Sequence, residues 1–240
     1  MALYRDRGVV LRTYRLGEAD RIVVLLTEGH GKVRAVAKGV RKTRSRFGSR
    51  LEPTSHVALL LYEGRELDVV TQADSIDHHP AVRADLGRLA KATALLEAVD
   101  HVAQDREPDA QLYRMLVGAL HALDQRDSPV LVAAFFWKLL AAEGVAPLVD
   151  GCARCGDPDD LVAFDLAEGG VLCRAHRSGV PISADALALL RRILTGELNA
   201  ALAEPAGPAT RELDALATAT MEAHVERRLR APAVHLDADR

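Results

Sequence analysis

This sequence predicts an α+β multidomain architecture: a small closed β-barrel at the N-terminus, then an α-helical domain interrupted by a cysteine-rich module. Three observations carry that prediction. Short apolar runs punctuated by glycine turns fill the first 80 residues. After Pro80 the apolar residues recur at helical spacing instead. All three cysteines fall within one segment, from Cys152 to Cys173, set between helical stretches. The expected division is residues 1–80 for the barrel, 81–150 for the first helical part, 151–180 for the module and 181–240 for the second helical part.

The barrel is read from five strands. Gly8 to Tyr14 carries Val9, Val10 and Leu11, and a turn at Gly17 leads to Asp20–Thr27 with its run from Ile22 to Leu26. Glu28-Gly-His-Gly31 is a second turn signal. Lys32 to Lys38 alternates, placing Val33, Ala35 and Ala37 on one face and Lys32, Arg34, Val36 and Lys38 on the other. His56–Tyr62 and Glu66–Ala73 follow, with Glu63-Gly-Arg as the turn between them. Five short strands with one long basic loop fit a five-stranded OB-fold β-barrel in size and strand count, and an SH3-like barrel reads almost the same.

Charge is distributed unevenly. Residues 1–80 hold 14 Lys/Arg against 10 Asp/Glu, whereas the whole chain has a net charge of −3, so the remainder is acidic. From Gly29 to Leu51 there are eight cations and no acidic residue: Lys32, Arg34, Lys38, Arg41, Lys42, Arg44, Arg46 and Arg50. Such a run needs an anionic partner or strong solvation to offset its self-repulsion. Gly39 and Gly48 bracket its second half as a loop, and a cationic loop between strands suits a phosphate backbone. These eight residues are the candidate nucleic-acid contacts. Phe47 lies among them, and a loop phenylalanine more often anchors a loop than stacks on a base. With aromatics at 4%, electrostatic and sequence-tolerant binding is expected over base readout.

Beyond Pro80, helical spacing covers 82–103 and 109–125. Ser128-Pro129 reads as a cap followed by a first-turn proline, opening a helix that ends at Gly144, whose aromatic cluster Phe135-Phe-Trp137 is expected in the core, with a partner groove as the alternative. Ser183 caps a helix that stops at Gly196. A last helix runs from about Ala209 to Leu229, with Arg227, Arg228 and Arg230 at its C-terminal end.

Cys152-Ala-Arg-Cys155 and Cys173-Arg-Ala-His176 are two close-spaced pairs separated by seventeen residues. That spacing predicts a Cys3His structural zinc site, one Zn2+ per chain, around a hairpin formed by Leu161–Phe164 and Gly170–Leu172. A thioredoxin-like pair would leave Cys173 unexplained. A deaminase zinc would need its H-x-E before the C-x-x-C, whereas His224-Val-Glu226 follows it. Four protein ligands leave no open position for catalysis.

Other chemistry is not indicated. Gly31-Lys32 is not a phosphate-cradling loop, because Leu26 stands where its first glycine belongs and Val33 where Ser/Thr belongs. There is no Gly-x-Ser-x-Gly and no carboxylate cluster to hold magnesium near the basic loop. The expectation is therefore a non-enzyme. The N-terminus lacks an apolar signal region, and the longest apolar run, Pro129 to Trp137, is far short of a membrane span, so a soluble cytoplasmic protein is expected. An odd cysteine count argues against a disulfide framework.

Three stretches together resemble a known family. They are Gly8-Val-Val-Leu with Tyr14-Arg-Leu-Gly-Glu-Ala-Asp-Arg-Ile22 and Leu25-Leu-Thr-Glu28; Ala37-Lys-Gly-Val-Arg-Lys-Thr-Arg-Ser-Arg-Phe-Gly48 with Leu51-Glu-Pro53; and the paired metal segment followed by Glu222-Ala-His-Val-Glu-Arg-Arg-Leu229. In these the chain resembles the RecO family of bacterial recombination mediators and strand-annealing proteins, over essentially its whole length. The resemblance implies an N-terminal OB-fold, binding to single- and double-stranded DNA and annealing of complementary strands. It also implies action with RecR in the RecFOR pathway, helping RecA replace the single-stranded DNA-binding protein SSB. His176 stands where many zinc ribbons have a fourth cysteine, and some family members lack the metal site. Two other readings of the residues stay open: an RNA-binding or translation-associated OB protein with a zinc ribbon, and an adaptor whose basic loop meets an acidic protein.

Overall fold

The computed structural model describes residues 2–41, 45 and 47–229. Met1, Lys42, Thr43, Arg44, Arg46 and the chain from Arg230 onward lie outside the described residues. The chain forms two compact units, one running through Gln125 and the other beginning at Arg126.

In the first unit, β1 (Leu3–Leu16), β2 (Asp20–Thr27), β3 (Gly31–Ala37), β4 (His56–Tyr62) and β5 (Asp68–Asp77) close into a barrel of order β1-β2-β3-β5-β4. β1 is longer than the expected Gly8–Tyr14 because it serves two partners. Leu3–Val9 pairs with β4 and Gly8–Leu16 with β2, with a register shift between Val10 and Arg12. Pairing of one coiled strand on both edges is what abolishes the free sheet edge. β5 begins and ends later than the expected Glu66–Ala73 and meets β3 in parallel only at Ala35 and Val36. The core holds Val10, Val23, Leu25, Val33, Ala35, Val57, Leu59, Leu61 and Val70, so the inward alternation expected for β3 is present.

The helical pattern over 82–103 is two helices, α1 (Pro80–Ala84) and α2 (Leu86–Val102), because Asp85 between them is extended. Its carboxylate accepts from the Arg88 N–H at 2.7 Å, capping α2. Asp109 caps α3 (Ala110–Gln125) the same way, through the Leu112 N–H at 2.8 Å. The connection between α2 and α3 returns to the barrel. Lys32 N–H donates to Gln104 O at 3.1 Å, and Arg106 N–H donates to Lys32 O at 3.0 Å. This connection fills the part of the β3 edge that β5 leaves unpaired. Gly31 permits the approach: its φ is +64°, and a Cβ there would lie 2.1 Å from Glu107 O.

Arg106 also reaches Asp68, which is fully buried at the start of β5. Burial by itself raises the Asp68 pKa. Hydrogen bonds from Arg106 Nη2 at 2.6 Å, from the Tyr4 hydroxyl and from Gly64 N–H at 3.0 Å outweigh it and hold the carboxyl below its usual range. A folded pKa below the unfolded value of about 3.9 contributes stability above that value, and the contribution is lost as pH falls through the lowered folded pKa. Arg106→Ala leaves the buried carboxylate without its cation and is expected to cost about 3 kcal/mol at pH 7. Urea unfolding should show that gap between parent and variant narrowing as pH falls, first as the variant's unpaired Asp68 protonates and then as the parent's does below its lowered folded pKa. A gap that stays constant with pH overturns the assignment.

The second unit contains α4 (Leu131–Ala142), β6 (Leu161–Asp165), β7 (Gly170–Cys173), β8 (Val180–Pro181), α5 (Ala184–Thr195), α6 (Leu198–Leu202) and α7 (Pro208–His224), with a 3-10 turn at Arg174–His176. Ser183 caps α5 through the Ala186 N–H at 3.2 Å, and Gly196 ends it with φ +100°. Phe135, Phe136 and Trp137 are buried, as a core face requires. Two boundaries differ from expectation. α4 starts at Leu131, not at Pro129, because Ser128 Oγ accepts from Val130 N–H at 3.2 Å and closes a turn before the helix. α7 ends at His224, not Leu229: Glu226 adopts φ +52° and Arg227 N–H turns back to Glu222 O at 3.0 Å, so Arg227 and Arg228 lie past the helix end. Among the described residues, no helix is long and apolar enough to cross a membrane.

Candidate nucleic-acid interface and candidate metal centre

The basic loop joins β3 to β4, and apolar side chains on either side of its cationic centre pin it to the barrel. Val40, Phe47 and Leu51 all belong to the barrel core, Phe47 being only 1% exposed. Phe47 is therefore an anchor and not a stacking surface. The base of the loop is tied to the β1–β2 turn. Gly39 N–H donates to Asp20 Oδ1 at 2.7 Å, Arg41 N–H to Ala19 O at 3.0 Å, and the Arg41 guanidinium to Gly17 O at 3.3 Å. Arg21 and Glu52 add an ion pair of 2.6 Å across the loop's far end. Lys38, Arg41 and Arg50 are exposed along this pinned path. Lys42, Arg44 and Arg46, the centre of the cationic run, lie outside the described residues.

Lys32 and Arg34 sit apart from the loop, on the outer face of β3, and acidic groups meet them there. The Lys32 ammonium donates to Asp100 O at 2.7 Å and lies 3.8 Å from Asp105 Oδ1, with its side chain 13% exposed. Arg34 is exposed and pairs with Asp105 at 3.3 Å. Asp100 in turn receives Arg12 Nε at 2.9 Å. The structure thus groups Lys32, Arg34 and Arg12 around two aspartates contributed by α2 and its following turn. Sequence reading missed Arg12, Asp100 and Asp105, because nothing in a linear pattern pairs β1 or β3 with residues so far downstream.

The candidate metal centre draws its four donors from three pieces of chain. Cys152 and Cys155 flank a turn, Cys173 ends β7, and His176 closes the 3-10 turn after it. All four donor atoms lie within 4.8 Å of one another. Cys155 Sγ is 3.9 Å from Cys173 Sγ, and His176 Nδ1 is 3.4 Å from Cys173 Sγ and 3.8 Å from Cys152 Sγ. A tetrahedral ion with metal–sulfur bonds of about 2.3 Å needs donors about 3.8 Å apart, so the cluster can hold a metal ion with little movement. Burial raises the Cys152 thiol, but backbone hydrogen bonds at Cys173, Cys155 and Arg154 overcome this and lower it to about 6, toward the thiolate a metal requires. The expected hairpin is β6–β7, and β8, too short to announce itself, adds a third strand to it. Ala153 N–H donates to Val171 O at 2.8 Å, joining the first ligand pair to the hairpin. Trp137 of α4 meets Phe164 edge-on at 5.7 Å between ring centres, fixing the module to the helices of its unit.

A closed barrel of this strand order with a cationic β3–β4 loop, followed by a helical unit carrying a hairpin, defines an OB-fold protein with a module whose four donors could hold a metal ion. The family model described as Recombination protein O N terminal matches residues 1–79, and that described as Recombination protein O C terminal matches residues 83–233. A protein of Frankia casuarinae named DNA repair protein RecO is 45% identical over 238 residues, covering 96% of this chain and 97% of the relative. The chain belongs to the RecO family.

Proposed function

We propose that this protein is a DNA repair and recombination mediator. It binds single- and double-stranded DNA through the barrel, anneals complementary strands and, with RecR, promotes RecA loading onto SSB-coated single-stranded DNA, working in the cytoplasm on the nucleoid. Family membership supports the class of activity. The observation that carries the mechanism is the β3–β4 loop, whose cationic run is held between the buried anchors Val40 and Phe47. Anchoring a cationic segment on both sides shortens the stretch that must be ordered, so less entropy is lost when phosphates dock. Neutralising phosphates on two strands lowers their mutual repulsion and favours pairing. The reading needs no catalytic step: it calls on binding and charge neutralisation alone. Cys152, Cys155, Cys173 and His176 hold one Zn2+, whose role is to fold the hairpin, since four protein donors complete its coordination.

Strand annealing on bare and SSB-coated DNA, with and without RecR, tests the proposal. Annealing should be ATP-independent. If about five phosphates are neutralised on a single strand, log K should fall with log salt at a slope near −3.5, with little dependence on base sequence. A slope near zero, or annealing no faster than the spontaneous reaction, overturns the reading.

A further inference from the structure

Among the described residues, the outer face of the β1–β2–β3 sheet is buried at one end and more exposed at the other. Val24 and Leu26 point away from the barrel core yet are 1% exposed, on the side where Asp100 of α2 receives Arg12 and Lys32. Beyond that cover, the register sets Tyr14 opposite Ile22, and Ile22 opposite Val36, in one row across three strands. Tyr14 is 45% exposed, and Ile22 and Val36 are half-buried. The neighbouring row holds Arg12 and Arg34 on either side of Val24, and Lys38 follows the end of β3 on the other side.

Tyr14 is held from behind. The Arg12 guanidinium lies over its ring, with Cζ 5.0 Å from the centroid, while Arg12 Nε donates to the buried Asp100 carboxylate at 2.9 Å. A cation on a ring face is attracted by the ring quadrupole. An arginine fixed by a buried carboxylate can therefore steady a half-exposed tyrosine that would otherwise sample several rotamers. The result is an oriented aromatic ring on a small apolar row, bordered by cations. One row is too narrow for a helix or a lipid surface. It matches a planar π system attached to phosphates.

We propose that Tyr14 is a base-stacking platform for single-stranded nucleic acid, positioned by Arg12 and Asp100. This rests on the DNA-binding reading above and adds a contact to the base that the phosphate-binding loop does not supply. Stacking on an aromatic side chain is sequence-tolerant, so it leaves binding nearly blind to sequence.

The test compares oligo(dT) with an abasic oligonucleotide of equal length by fluorescence anisotropy, across a salt series. Tyr14→Ala and Tyr14→Leu should weaken oligo(dT) binding about 10-fold, leave abasic binding within about twofold of the parent and keep the salt slope, because a base contact is lost and no phosphate contact is. Tyr14→Phe should bind like the parent. Tyr14→Trp should do so too, with its added indole emission quenched by oligo(dT) and not by the abasic strand. If the parent binds both strands and Tyr14→Ala binds oligo(dT) equally well, or loses the same factor on both strands, stacking is overturned while the DNA-binding reading stands. Parental binding by Tyr14→Leu overturns it as well. A parent that binds neither oligonucleotide overturns both readings.

Discussion

Replacing Cys155 with alanine is expected to take the protein from one zinc per chain to none and to make residues 151–176 the first target of limited proteolysis. The buried cluster beneath the ligands shows why. It consists of Cys152, Ala163, Leu172 and Cys173, with Ala153 and Leu161 packed against it, so of its four members two are ligands and one is an alanine. Ordering some 25 residues costs on the order of 1–2 kcal/mol each, which this cluster does not offset. Structural zinc binding contributes on the order of 10 kcal/mol or more. Phe164, packed on Trp137, keeps part of β6 tied to α4 without metal, so cleavage should begin in the loop between Cys152 and Leu161. The barrel has its own core and should retain most of its DNA affinity. His176→Cys should keep the metal, since a thiolate suits the same tetrahedral position. Elemental analysis of protein purified without chelator reads the first outcome. A metal-free parent that resists protease across this segment would falsify the site.

Changing Arg41, Lys42, Arg44 and Arg46 together to alanine is expected to weaken single-strand binding about 100-fold or more at 0.1 M salt, and to abolish annealing at concentrations where the parent is active. Each phosphate contact on a single strand adds about 0.7 to the slope of log K against log salt, so losing four flattens it by nearly 3. The fold should be unaffected, because the loop's anchors Val40, Phe47 and Leu51 are left in place. Lys32→Ala makes the contrast. Its ammonium group is committed to Asp100 O, so the change should lower the unfolding midpoint and alter the salt slope little. A well-folded quadruple variant with the parental slope would place the DNA-binding surface elsewhere.

The features legible in the sequence were those encoded locally. Strand periodicity and glycine turns located all five barrel strands, two of them, Asp20–Thr27 and His56–Tyr62, at their observed limits. Cysteine spacing named the four donors that the fold brings together. The cap at Ser183 and the stop at Gly196 were readable because capping is a property of a few adjacent residues. The misplaced helix boundaries have local causes too, but competing ones. Ser128 can cap a helix or close a turn, and Asp85 can sit in a helix or interrupt one, and packing makes the choice. The long-range pairings had no local signal. Eight cations look alike in a charge count, and only the fold shows that Lys32 and Arg34 meet Asp100 and Asp105. Tyr14 reads in sequence as one residue near a strand end. Its ring becomes a held surface only because barrel closure and the return of α2 bring Arg12, ninety residues from Asp100 in order, within a hydrogen bond of that buried carboxylate. Local periodicity is set by bonded geometry and short-range sterics, whereas which charge meets which depends on the path of the whole chain.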